Sequence, residues 1–277
     1  MHIKRNYYCL VAGLQDINID THKLVFDQQA FKEELKAEVH PADYKLVKKL
    51  FLPYDNKNLL NLLEKRDKEF DEKGNFSKSF LEEQIKEPTD LPDYMTRFIN
   101  AIKNDERIFP DMSTENELLS LFYDEMIKDD NSFLSKWYEF DMNIKNITTA
   151  LMGRKHEIKY ENQIIGSTEV SDIIRKSHAK DFGLSNEYEY IEELINIIKL
   201  EDIQEREKAT DQLKWDYLED VIFFEYFTIE RLLSFTIRLG IVERWMSIDK
   251  DHGKALFKKL LEELQNSYKL PETFTEK

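Results

Sequence analysis

The triplet Asp181-Phe182-Gly183 is the first group of residues that could do chemistry, because it spells the magnesium-binding triplet of protein kinases. A kinase also needs a glycine-rich phosphate loop, a strand lysine and an HRD-type loop earlier in the chain. None of these motifs precedes the triplet. The triplet therefore predicts a turn with a buried Phe182 and a positive φ angle at Gly183.

His156 begins the sequence HEIKY, which starts like the zinc-protease motif HExxH but has Tyr160 at the second ligand position. This segment is better explained as a solvated polar turn. No two of the six histidines are four residues apart, so a pair of metal ligands on one helix is excluded. We expect no catalytic residue, no metal site and no cofactor, although an enzyme site assembled across several helices stays open.

Cys9 is the only cysteine, which excludes an intrachain disulfide and a CxxC metal site. Its neighbours Tyr7 and Tyr8 favour a small buried hydrophobic residue over a nucleophile. A single cysteine fits a reducing, cytoplasmic setting.

Several charged residues lie among apolar neighbours, where a charge must either reach solvent or be paired. They are Glu225, Glu230, Arg231 and Arg238. Glu230 follows Ile229 and precedes Leu232, so both an ion pair between helices and a contact with a partner protein are open.

A candidate partner-contact surface surrounds Gly240, where the apolar stripe changes sides of a helix. Its residues are Arg238, Glu243, Arg244 and Trp245. Trp and Arg are enriched at the energetic centres of protein interfaces. The alternative is that Trp245 packs on a closing helix at 254–268.

These residues belong to an apolar stretch, 215–246, around which we expect the chain to be organised. At 100° per residue, one helix face carries Leu213, Tyr217, Val221 and Phe224, and the opposite face carries Trp215, Leu218, Ile222 and Tyr226. A helix that is apolar on two sides is sandwiched between neighbours, so Phe224 should be buried. At Gly240 the helix either kinks or continues and meets a second partner.

The rest of the chain predicts an all-α fold, an irregular multi-helix assembly with at most a minor β-hairpin near 155–166. The 277 residues include only 7 glycines and 6 prolines, which is about 5% of the chain. Ordinary usage of the two together is about 12%. At the start, helix is favoured over a buried strand. Further helices are predicted at 26–39, from Pro41 to a stop at Pro53, and at 58–70, 80–86, 94–103, 133–152, 170–178, 188–198 and 254–268. A capping box of Thr114 with Glu117 predicts another helix start, Gly153 a C-cap, and Ser167 or Thr168 an N-cap.

The polar sequence DDNS at 129–132 suggests a boundary between an N-terminal helical lobe, 1–130, and a C-terminal helical lobe, 131–277, that carries the apolar stretch. One continuous domain is the alternative. The net charge of −15 argues against nucleic acid and against a polybasic membrane anchor. The apolar run near the start is shorter than the roughly 20 residues that span a bilayer, so we expect a soluble protein without direct membrane insertion.

Three segments together resemble an uncharacterised bacterial family encoded alongside the genes of V-type ATPases. They are Asn6–Leu14 (NYYCLVAGL), Lys214–Glu219 (KWDYLE) and 227–245, which contains FTIERLL and GIVERW. The helix 140–147 (FDMNIKNI) is also similar to the D-x-x-N-I-K helix of a central-stalk protein of V/A-type rotary ATPases. That protein is designated C in the V/A-type enzymes and d in yeast and mammals, and we call it the C-type stalk protein.

The resemblance implies a non-catalytic central-stalk component that links the soluble shaft to the membrane rotor ring. The C-type stalk protein is an all-helical funnel that transmits torque and binds no nucleotide. The partners of the present chain would be the other ATPase components, and it would lie in the cytoplasm, peripheral to the membrane through a complex that transports protons or sodium ions. An unrelated soluble helical interaction module is the alternative.

Overall fold

The computed structural model describes residues 5–267, and the side chains of residues 5–250. Within these residues the chain forms eleven α-helices, a short 3-10 turn at Glu161–Gln163 and no β-strand, which confirms the all-α prediction. The hairpin considered near 155–166 does not form there. The helices are α1 Tyr8–Ala12, α2 Gln28–Glu38, α3 Pro41–Leu63, α4 Lys78–Lys86, α5 Asp93–Lys103, α6 Thr114–Met126, α7 Ser132–Lys155, α8 Glu169–Lys176, α9 Tyr190–Ile197, α10 Ile203–Val221 and α11 Ile229–Ser267.

Polar N-cap side chains begin most of the longer helices, and each accepts a hydrogen bond from a backbone N–H in the first turn. Of the two predicted N-caps, Ser167 and Thr168, it is Thr168 that caps α8 in this way. The capping box of Thr114 and Glu117 is wrong by one residue, because Ser113 is the N-cap and accepts from the Asn116 N–H at 3.1 Å. Glu117 is instead buried and accepts the Ile108 N–H at 2.7 Å, so its carboxylate holds the preceding loop.

Pro53 does not end a helix, which corrects the predicted stop at this residue. It lies inside α3, which runs on to Leu63 and not to Phe70. A proline inside a helix leaves the carbonyl four residues earlier without its donor. Here that carbonyl belongs to Lys49, and it accepts the Tyr138 hydroxyl of α7 at 2.9 Å. A side chain from another helix therefore replaces the missing hydrogen bond.

Gly153 does not end α7, which corrects the predicted C-cap. The helix continues to Lys155, and His156 is the C-cap. A Cβ atom on Gly153 would lie 2.7 Å from the Tyr160 ring. The glycine is thus required by the close approach of Tyr160 and not by the end of the helix.

The stretch 215–246 is not one sandwiched unit. α10 ends at Val221, a turn follows, and α11 begins at Ile229. Leu218 and Ile222 are buried, but Phe224 is 78% exposed, so its predicted burial is wrong. α10 packs on α7 and α9, α11 packs on α2 and α3, and the two helices also pack on each other. The chain must turn between these two sets of neighbours, and no helix of the described chain covers the turn residue Phe224.

The helix continues through Gly240 without a break. The Gln28 side chain of α2 lies against this glycine, where a Cβ would approach its Nε2 to 2.6 Å, and that nitrogen donates to the Thr236 carbonyl at 3.0 Å. Continuation with a second neighbour is therefore the correct alternative. The predicted closing helix 254–268 forms the last turns of α11 through Ser267, and its side chains and Tyr268 lie outside the described ones.

One hydrophobic core contains residues from both predicted lobes, such as Phe51 and Phe98 on one side and Phe140 and Leu233 on the other. α6 packs on α7, so the core continues across residue 130. The division into 1–130 and 131–277 stays a prediction. Within residues 5–267 no helix is both long and apolar enough to cross a membrane.

Candidate functional site

The triplet Asp181-Phe182-Gly183 forms a turn, as predicted. Gly183 has φ +81° and Phe182, at φ +59°, is buried under the Arg154 guanidinium, which lies 4.1 Å from the ring centroid. The Asp181 carboxylate accepts the Gly183 N–H at 3.0 Å, and this hydrogen bond lowers its pKa. The aspartate thus holds its own turn.

The HEIKY segment is a solvated turn, as predicted: residues 156–159 are exposed and Tyr160 is half-buried. Among the residues that the structure describes, no group of three or more His, Cys, Asp and Glu side chains could hold a metal ion. Cys9 is exposed on α1, so its predicted burial is wrong. None of the residues of α1 is buried, so this short helix lies at the surface.

Arg238 is buried against α10, where its guanidinium lies 5.1 Å from the Trp215 ring centroid and 3.2 Å from a Glu219 oxygen. Burial lowers its pKa, and Glu219 opposes that shift. Glu230 is half-buried and accepts from the Asn131 amide at 3.0 Å. Within the described residues this hydrogen bond from a neutral amide takes the place of the ion pair considered for Glu230.

Glu243 connects α11 to α2 and to the loop before α4. One carboxylate oxygen accepts the Gln28 N–H at the start of α2, and the other accepts the Lys73 ammonium at 2.5 Å. The same loop is held from α3, where the buried Asp55 carboxylate accepts the backbone N–H groups of Asn75 and Phe76 at 2.7 and 3.1 Å. Burial raises the pKa of Asp55 to about 6.

Arg244 and Trp245 both contact α10 through Asp211. The Trp245 indole N–H donates to Asp211 at 2.9 Å, and the Arg244 guanidinium pairs with the same carboxylate. Trp245 is buried and Arg244 is exposed. Trp245 therefore packs on α10, and the closing segment 254–267 is a continuation of its own helix.

The four candidate contact residues thus have partners inside the chain, and a partner-protein contact at this segment stays a prediction. Arg244 is the most accessible of the four, with 44% of its side chain exposed, against 10% for Arg238.

Five exposed aromatic side chains of the described chain form a cluster that we call the aromatic patch. It consists of Tyr8 on α1 and Phe223, Phe224, Tyr226 and Phe227 in the turn between α10 and α11. Their exposed fractions are 58%, 65%, 78%, 63% and 39%. The Tyr8 and Phe227 ring centroids lie 4.7 Å apart, and those of Phe223 and Phe224 4.9 Å apart. Exposed aromatic clusters of this kind are typical of interaction sites.

Buried residues and hydrogen bonds fix the backbone of this turn, and in that conformation the aromatic rings point outward. Ile222 and Thr228 are buried at its two ends. The Glu225 N–H donates to the Ile222 carbonyl at 2.8 Å, and the Thr228 hydroxyl donates to the Glu225 carboxylate at 2.8 Å. The Tyr7 N–H donates to the Phe227 carbonyl at 2.6 Å, which joins α1 to the turn.

The other side of α1 is attached to the start of α3. The Tyr7 hydroxyl donates to the Asp43 carboxylate, which also pairs with Arg5 at 3.1 Å. Burial and the hydrogen bond to Asp43 raise the Tyr7 pKa to about 12. Two hydrogen bonds of Tyr7 therefore hold the short helix that carries Tyr8. One is made by the Tyr7 backbone N–H and the other by its hydroxyl.

The aromatic patch lies beside the negative end of α10. The helix ends in the sequence Leu-Glu-Asp-Val, and Asp216, Glu219 and Asp220 are all exposed. Helix carbonyls at a C-terminus carry a partial negative charge, to which these carboxylates add. The cation Lys214 on the same helix faces inward and pairs with Asp141 of α7 at 2.5 Å.

Sequence reasoning missed the aromatic patch because it fitted residues 213–226 to one helix. The available signal was the run Phe-Phe-Glu-Tyr-Phe at 223–227. On a helix at 100° per residue these four rings would span an arc of about 160°, which is wider than the apolar stripe of about 100° that faces a core.

The chain belongs to a family described as a protein of unknown function (DUF2764), whose model matches residues 4–268. No curated protein and no solved structure matches the chain at a significant level.

Proposed function

We propose that this member of the DUF2764 family is a non-catalytic coupling component of a V/A-type rotary ATPase, placed between the soluble shaft and the membrane rotor ring. It would carry no chemistry of its own and would transmit torque between two partners. In the cell it would lie at the cytoplasmic side of the membrane, held there by the ATPase complex.

The observation that carries this proposal is that the segments that resemble the uncharacterised family encoded with V-type ATPases, and the helix similar to the C-type stalk protein, contact one another in two places. Segment 6–14 contacts segment 227–245 through Tyr7 and Phe227. The helix 140–147 contacts segment 214–219 through the Asp141–Lys214 pair. Two of the five patch residues, Tyr8 and Phe227, lie in these segments, so the sequence resemblance includes part of the exposed surface.

A coupling part must also resist deformation, and paired charges join its helices. The Asp141 carboxylate accepts from Lys214 of α10 at 2.5 Å and from the Tyr123 hydroxyl of α6 at 2.6 Å. Burial alone would raise the pKa of Asp141, but the Lys214 ammonium and these hydrogen bonds lower it. The carboxylate is thus ionised at neutral pH and links three helices. Packed helices with such links transmit force as a body.

A second candidate is an unrelated helical interaction module. The aromatic patch supports this module as well as it supports a coupling component, because an exposed cluster can bind a partner in either case. A coupling component needs two separate contact surfaces, whereas a module needs one.

Co-purification from the native cell separates these functions. The full chain would carry an affinity tag, and membranes solubilised in a mild detergent would be analysed by quantitative mass spectrometry. Recovery of shaft and ring proteins in fixed ratio to the chain supports the proposal. Recovery of one unrelated protein, with ATPase components at the level of an untagged control, would replace it with the interaction module.

A further inference from the structure

We propose that the aromatic patch receives a segment of a partner protein that carries apolar side chains flanked by Lys or Arg. This holds for either function above, because it rests on the patch and on the charges beside it. The proposal specifies the chemistry of the partner segment. The partner itself could be a component of the ATPase or an unrelated protein.

The apolar half of the argument is the exposure of the rings. Phe224 and Phe223 are 78% and 65% exposed, and Tyr8 and Tyr226 are similarly open. The hydrogen bond from Tyr7 to the Phe227 carbonyl and the one from Thr228 to Glu225 hold the backbone. A pre-ordered aromatic surface loses little conformational entropy on binding, which favours its use as an anchor.

The charged half of the argument is the negative end of α10. Asp216, Glu219 and Asp220 are exposed within two turns before Phe223, and the Phe223 N–H donates to the Asp220 carbonyl at 3.2 Å. A cation placed here meets carboxylates and the helix carbonyls together. It can also lie over an aromatic face, which attracts Lys and Arg further.

Among the described residues, neither Asp216 nor Asp220 forms an ion pair with a basic side chain, and three basic side chains of the surrounding elements are engaged elsewhere. Lys214 pairs with Asp141, Arg238 lies over Trp215, and Arg5 pairs with Asp43. Arg231 is half-buried in the first turn of α11. Glu219 is engaged in part, by Arg238 at 3.2 Å, so Asp216 and Asp220 carry most of the available charge.

The same charges disfavour the two other occupants of an exposed aromatic surface. A bilayer with anionic lipids would repel Asp216 and Asp220, although aromatic rings themselves suit the interface. A second copy of the chain would present the same carboxylates and a net charge of −15. A basic, apolar protein segment satisfies both halves of the surface.

A direct test uses two synthetic peptides of equal length, one of Leu and Lys and one of Leu and Glu, both with helical spacing of the Leu residues. The full chain would be labelled with a fluorophore at Cys9, its only cysteine, which is exposed and adjacent to Tyr8. We expect the Lys peptide to bind at least tenfold more tightly than the Glu peptide, as seen by anisotropy and confirmed by calorimetry on unlabelled chain.

Two variants locate the binding on the patch. Phe224→Ser with Tyr226→Ser should weaken the Lys peptide at least tenfold, while Ile203→Ser, an equally exposed apolar site at the far end of α10, should not. Asp220→Lys should weaken it about fivefold or more relative to Glu201→Lys, which makes the same charge change before α10. All these sites are exposed, so circular dichroism and melting temperature should stay unchanged.

Three results would overturn the proposal. Equal weakening by the Ile203 and patch variants, or by the Glu201 and Asp220 variants, would mean general attraction to an acidic chain. Binding to vesicles of phosphatidylcholine and phosphatidylglycerol that is tighter than binding to the Lys peptide, and that is lost in the double Ser variant, would identify a membrane contact. Self-association in sedimentation, abolished by the same variant, would identify a second copy.

Discussion

The hydroxyl of Tyr138 on α7 donates to the backbone carbonyl of Lys49 on α3, and this hydrogen bond allows α3 to pass through Pro53. The two residues are 89 positions apart in the chain. The bond replaces the internal helix bond that the proline ring cannot make.

We predict that Tyr138→Phe lowers the free energy of unfolding by about 1 kcal/mol or more, because it leaves the Lys49 carbonyl without that donor. Adding Pro53→Ala restores a backbone N–H to the helix and should recover most of the loss. Urea melts of both single variants and of the double variant measure this coupling. Strictly additive effects would mean that the hydroxyl does not substitute for the helix bond.

We predict that Phe224→Ala changes the free energy of unfolding by less than about 1 kcal/mol, because the side chain is 78% exposed. The apolar pattern of 213–226 by itself suggested a loss of roughly 3–5 kcal/mol, the usual cost in a core. Phe235→Ala is the matched control, since Phe235 on α11 is buried and should show the large loss. Equal losses in urea melts would show that the turn is covered.

We predict a stability effect of Asp55 that is confined to acidic pH. Burial raises its pKa from 3.8 to about 6. Between these values the folded chain keeps a proton that the unfolded chain has released, so the free energy of unfolding falls as the pH rises. The free energy of unfolding of the wild type relative to that of Asp55→Asn should decrease by about 2–3 kcal/mol from pH 4 to pH 7.

Asp141→Asn is the control for that experiment because its expected sign is opposite. The pKa of Asp141 is lowered, so its contribution is present at neutral pH and is lost as the pH falls. Urea melts between acidic and neutral pH measure both variants. Parallel curves for the two would contradict these assignments.

We predict that Trp245→Ala lowers the free energy of unfolding by roughly 3–5 kcal/mol, because Trp245 is buried against α10 and donates to Asp211. Arg244→Ala should cost less, about 1 kcal/mol, since Arg244 is exposed. If Arg244→Ala loses no more stability than this but loses the partners recovered by co-purification, the contact at this segment is external. If it melts lower and still assembles, the segment is structural.

We predict that the isolated chain neither binds nor hydrolyses ATP. The kinase-like triplet uses its Asp181 carboxylate to hold the Gly183 N–H, and Phe182 lies under Arg154. Calorimetric titration with magnesium-ATP should show no saturable heat, and phosphate release should match a buffer control. Saturable binding that is lost in Asp181→Ala would instead assign a nucleotide site to this turn.

The sequence alone determined the features that depend on neighbours within about one helical turn. The scarcity of glycine and proline indicated an all-α chain, an N-cap was recognisable at Ser167 or Thr168, and the turn at Asp181–Gly183 followed from its residue types. Helix periodicity and capping involve residues three or four positions apart, so a linear pattern records them.

Only the tertiary structure decided how α3 passes Pro53, where the apolar stretch turns, and which charges pair. Tyr138 reaches Lys49 from another helix, Glu243 binds Lys73 across 170 positions, and Phe224 lies exposed in the turn between α10 and α11. Whether a helix face is covered, or a lost hydrogen bond replaced, depends on atoms far away in sequence. Local periodicity contains no information about those atoms.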